Sequence, residues 1–81
     1  MNMNIIMMIE AKQVIDLAKQ GIQEADETIQ LCSMELDQPL PPDEADEIVA
    51  DMMILVGHRN TCQQAMKAAR AFIQKNKFIL N

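Results

Sequence analysis

Tryptophan and tyrosine are absent from this chain, and phenylalanine, glycine and cysteine occur only twice each. Without aromatics to stack bases, and with a formal net charge of -5, direct binding of DNA or RNA is disfavoured. The scarcity of glycine goes with the absence of a glycine-rich phosphate loop or a GxSxG elbow. Two cysteines and no secretory segment argue against a disulfide scaffold and for a reducing compartment. The apolar stretch at residues 5–9 lacks preceding positive charge and is far shorter than the roughly 20 residues of a membrane span. The expectation is a cytoplasmic protein without membrane contact, its translation start left open by methionines at 1, 3, 7 and 8. Strand formers come only in short runs without period-two alternation, so no sheet is expected.

What is present is helical periodicity. Met8, Ala11, Ile15, Ala18, Ile22, Ala25, Ile29, Cys32 and Leu36 recur three and four apart, the seam of an amphipathic helix over residues 8–36, about 43 Å long. Alanine and isoleucine alternate along its middle, so a neighbouring helix can come close over the small residues while the isoleucines fill the space beside it. Gly21 costs about 1 kcal/mol against alanine in mid-helix and reads as a further close contact. Residues 1–7 extend this helix loosely or fray. All three prolines fall in residues 37–42, where each removes a backbone donor and pushes its predecessor from helical angles. That is a short, stiff turn; Pro39 and Pro42 have the PxxP spacing of a polyproline ligand but no basic flanks.

A second helix is expected over residues 43–76. Asp43, Glu44, Asp46 and Glu47 suit the positive end of its dipole, and its seam runs Ala45, Ile48, Met52, Leu55, Arg59, Cys62, Met66, Ala69 and Ile73. Near Gly57 it is either continuous, with or without a kink, or broken, since Thr61 and Gln64 match a capping box. The three-four spacing keeps register from Leu55 to Cys62 and favours continuity. Lys75 and Lys77 suit a helix C-terminus, with an apolar tail beyond them. The fold class is therefore all-α, a long antiparallel helical hairpin.

Eighty-one residues fit one domain, 1–81, near the size where a single core supplies only about 3 to 5 kcal/mol. A lone hairpin also leaves Leu17, Leu31, Val49, Met53, Val56 and Phe72 in need of cover. The expected remedy is a homodimer, two hairpins packed antiparallel as a four-helix bundle, with Ile48, Met52, Met53, Leu55, Val56 and Phe72 as the self-association residues. Charge supports it. Glu24, Asp26, Glu27, Glu35, Asp37, Asp43, Glu44, Asp46, Glu47 and Asp51 are separated by no basic residue, whereas all seven Lys and Arg lie outside that window. The turn end is thus acidic and the open end basic, a field able to steer partners.

Candidates for chemistry are few. Cys32 and Cys62 sit on seams, where cysteine behaves as a small buried hydrophobe. Only Cys62, four after His58, has a neighbour that could activate a thiol or share a metal. His58 and Cys62 would make half of a zinc site. With facing positions counted back from the turn, Cys32 falls near Glu47 and Cys62 near Leu17. One chain therefore does not complete the site, and sharing across a dimer stays open. The carboxylates Glu24, Glu27, Glu44, Glu47 and Asp51 have helical spacing, as in magnesium-binding bundles. QEADE at residues 23–27 and DEIVAD at residues 46–51 resemble the EExxE and ExxD motifs of the all-helical MazG-type nucleotide pyrophosphatases. Gln23 stands where that pattern has its first Glu, and Glu47 and Asp51 are four apart instead of three. The resemblance implies a magnesium-dependent nucleotide hydrolase.

The favoured reading is not an enzyme and needs no cofactor or metal. It is a small acidic helical protein that acts by protein-protein binding, as adaptor, small chaperone or inhibitor. Glu35, Asp37, Asp43, Glu44, Asp46, Glu47 and Asp51 would meet a partner with a basic surface. A sharper form is a phage-type inhibitor whose acidic pole mimics nucleic acid and blocks a DNA-binding machine.

Overall fold

The computed structural model describes the backbone of residues 3–80 and the side chains of residues 5–77. Two helices fill it, α1 (Met3–Leu36) and α2 (Pro42–Leu80), packed against each other as a hairpin. Both run beyond the spans expected from the seam, because nothing in residues 3–7 or 77–80 breaks a helix once the neighbouring turns have formed. The expected apolar tail at residues 78–81 lies outside the described side chains, as do the first methionines. The molecule measures 59 × 17 × 14 Å with a radius of gyration of 18.1 Å, where a globular chain of this length would have about 12 Å.

The corner is made by backbone chemistry. At the end of α1, Asp37 N-H donates to Met34 O at 3.3 Å and Gln38 N-H to Glu35 O at 3.1 Å, tightening the last turn before the prolines. Pro42 opens α2 where its missing N-H costs nothing, and Ala45 N-H reaches Pro41 O at 3.1 Å. Asp43 and Glu44 stand in the first turn of α2 and are stabilised by its dipole. The last turn of α1 has no cation and instead carries Glu35, with Asp37 just beyond, so those two carboxylates oppose the negative end of α1.

α2 passes through Gly57 unbroken. The Thr61 hydroxyl, the capping alternative, donates back to Gly57 O at 3.0 Å, which is a mid-helix bond and satisfies no free helix end. Thr28 does the same to Glu24 O on α1.

Every seam position of both helices is shielded. Among the described residues only Ala11, Ala18, Ala25 and Ala69 are buried, however, and no large side chain is fully so. The alanines lie directly beneath the opposite helix, while the isoleucines and Met66 flank the contact and keep one side open. Arg59, the charged member of the α2 seam, runs its stem along the contact and donates from Nη1 to Asp26 Oδ1 at 2.9 Å. Its Nε is buried without a hydrogen-bond partner. With both partners substantially exposed, the pair is worth at most about 1 kcal/mol.

The register along the hairpin corrects one expectation. Cys62 does share a hollow with Leu17, but Cys32 lines one with Asp51, Ile54 and Leu55, a helical turn beyond Glu47. The phase of a seam sets which face is inward; the path of the turn sets how far α2 slides along α1.

The two glycines have opposite roles. A Cβ on Gly21 would lie 2.9 Å from Cys62 Sγ and 3.5 Å from His58 Nε2, whereas one on Gly57 would meet nothing within 4 Å. Gly57→Ala is expected to raise stability by about 0.5 to 1 kcal/mol through helix propensity alone. Gly21→Ala has the same gain but must push Cys62 aside, and is expected to lower the melting temperature unless Cys62→Ala accompanies it. Thermal unfolding of the four variants by circular dichroism checks the signs.

Candidate functional site

The seam leaves two sides of the hairpin, and they differ. Helical period places Met7, Val14, Gly21, Thr28 and Glu35 in one row on α1 and Glu44, Asp51, His58, Ala65 and Phe72 in one row on α2, both on the same side of the hairpin. The hollows join the two rows: Met7, Val14, Ala65 and Phe72 line one, and Thr28 and Asp51 line another. Between them Val14, Leu17, Ala18, Thr61, Cys62 and Ala65 line a third. Together they form a shallow apolar groove along much of the hairpin, bordered by the exposed Leu17 at 68%, Leu31 at 59% and Ile54 at 71%.

The opposite side is polar over most of its length, where Lys19, Gln23, Asp26, Glu27 and Gln30 surround Ile22 and Met66. Towards the turn it becomes apolar again, in a hollow lined by Leu36, Val49, Met52, Met53 and Val56. The acidic residues of the turn end lie close by in sequence, Asp37 beyond Leu36 and Asp46 and Glu47 before Val49.

Of the residues expected to drive self-association, Ile48, Met52 and Leu55 are half-buried in the contact with α1. Met53 at 71% exposure and Val56 belong to the hollow near the turn, and Phe72 belongs to the groove. The expected partner-binding carboxylates Glu35, Asp37, Asp43, Glu44, Asp46, Glu47 and Asp51 are all exposed. Ile54 in the groove wall falls outside the α2 seam, and sequence period does not say which flank of a seam a neighbouring helix covers.

The carboxylates of the pyrophosphatase pattern do not converge. Glu24 and Glu27 lie on the outer surface of α1, accepting hydrogen bonds from Gln20 and Gln23 at 3.2 and 3.1 Å. Among the described residues no three of His, Cys, Asp and Glu come together as a metal site within the chain. Two do approach: Cys62 Sγ is 3.7 Å from His58 Nε2, above Gly21. Also among the described residues, no helix is long and apolar enough to cross a membrane.

Comparison of the chain with family models, with curated proteins and with solved structures gives no match.

Proposed function

We propose that this chain works by protein-protein binding and performs no chemistry of its own, as a hairpin that pairs with a second copy and offers its acidic end to another protein. The observation that carries the proposal is uncovered surface. The chain exposes 6209 Å², about 1,300 Å² more than the roughly 4,900 Å² of a globular monomer of its mass. A standard interface removes about 800 Å² from each partner, so one partner along the groove accounts for most of the excess.

Charge argues that this partner is a second copy laid antiparallel. The basic end, with Lys67, Arg70, Lys75 and Lys77, then lies beside the acidic turn of its mate, a four-helix arrangement with both poles neutralised. Glu35 and Asp37, which oppose the dipole of their own helix, gain most from cations brought close. The hollow of Leu36, Val49, Met52, Met53 and Val56 lies on the other side of the hairpin and stays open to a further protein, with the acidic rim selecting a basic one.

Sedimentation of the full chain at micromolar concentration tests this. The expected result is a dimer that dissociates on dilution and more readily at high salt. A monomer of constant mass across the concentration range contradicts it. The exposed carboxylates at the turn also support the nucleic-acid-mimic form of the reading. In that case, binding of a basic partner at the acidic end falls steeply with salt, whereas docking in the hollow changes little.

A further inference from the structure

We infer that His58 and Cys62 form half of a tetrahedral site for a soft divalent metal ion, zinc by chemical class, completed by the same two residues of a second copy. The inference rests on the self-association proposed above. Thiolate and imidazole are the ligands such ions prefer, and four of them close a structural site. Zinc-ligand distances of about 2.3 Å to sulfur and 2.0 to 2.1 Å to nitrogen place two tetrahedral ligands about 3.5 to 3.6 Å apart. Cys62 Sγ and His58 Nε2 are already 3.7 Å apart, so both can reach one ion with little movement. Without an ion the same contact serves as a weak hydrogen bond.

Place and space agree with that geometry. Gly21 and His58 stand at the middle of the groove, Gly21 midway between Met7 and Glu35 on α1 and His58 midway between Glu44 and Phe72 on α2. In an antiparallel pair centred on the groove, the middle layer is the one that meets its own copy. Two His58 and two Cys62 then converge from opposite sides, although among the described residues one chain brings together no group of three. Gly21 supplies the floor: any larger residue would crowd the sulfur, and the chain keeps a poor helix former where that crowding would occur. His58 is exposed, so its ring stands at the groove surface. Each cysteine enters as thiolate and releases its proton to solvent, so two of them balance the dipositive ion.

The test is titration of the reduced, metal-free full chain with cobalt(II), with chain mass followed in parallel. The expected result is the ligand-field spectrum of tetrahedral cobalt, with a thiolate charge-transfer band, saturating at one ion per two chains. Zinc should lower the dimer dissociation constant by about tenfold or more. H58A, at an exposed helical position that tolerates alanine, and C62A should each abolish the spectrum and the metal effect on mass, while C32A retains both. A dimer that takes up no tetrahedral cobalt, or binds one ion per chain, overturns the shared site and leaves self-association standing. A chain that stays monomeric with and without metal overturns both.

Discussion

Leu17→Glu and Ile54→Glu are each expected to raise the dimer dissociation constant by about 10² to 10⁴-fold, since each removes two apolar side chains worth roughly 1.5 to 3 kcal/mol apiece from the symmetric interface. In an isolated hairpin neither change should matter. The two side chains are 68% and 71% exposed, and surface substitutions away from special features stay within about 0.5 kcal/mol. The prediction therefore separates a covered groove from a bare one. Orientation can be read by the same route. In the antiparallel pair each helix lies over its own copy, and Leu17 of one chain lies opposite the region of Leu31, in the same row of α1, in the other, so Leu17→Lys combined with Leu31→Glu restores association. A parallel pair would set α1 against α2 of its mate, the introduced lysine and glutamate would not meet, and the double variant would stay dissociated. Sedimentation equilibrium of the variants decides between these outcomes.

Ala25→Leu is expected to dismantle the hairpin. Ala25 is 2% exposed, the least accessible side chain described, and sits where α2 passes directly over α1. Extra carbons there force the helices apart at a cost of about 1 to 3 kcal/mol, against the roughly 3 to 5 kcal/mol that a core of this size supplies. Most of the far-ultraviolet helical signal should be lost on mild warming. Ala50→Leu makes the same chemical change at an exposed position of α2 and is expected to leave the melting curve nearly unchanged. If Ala25→Leu melts like the parent chain, the close contact over the alanine layers is wrong.

The hairpin itself was legible in the residues because helical phase is a local property. Alternation of isoleucine and alanine from Ile15 to Ile29 sets one inward face, the prolines at 39, 41 and 42 stop the first helix, and unbroken register from Leu55 to Cys62 carries the second past Gly57. Distances along the hairpin were not legible. They depend on the path of residues 37–41, which is why Cys32 lies beside Asp51 and Ile54 and a turn away from Glu47. The candidate site was visible in fragments. His58 and Cys62 share a helical face by spacing, and Gly21 marks a close approach, but only the folded register sets that glycine beneath that sulfur. The wide apolar flank was harder still, because Leu17, Leu31 and Ile54 fall outside both seams, in rows that a single pair of helices leaves bare.

The claim beneath the proposed function is that a second copy covers the groove. An isotope-filtered Overhauser experiment on an equal mixture of labelled and unlabelled chain measures that contact most directly. The account predicts cross-peaks between the methyl groups of Leu17 in one copy and those of Leu31 in the other. Their absence, together with the rotational diffusion of a single 9.2 kDa rod, would contradict it.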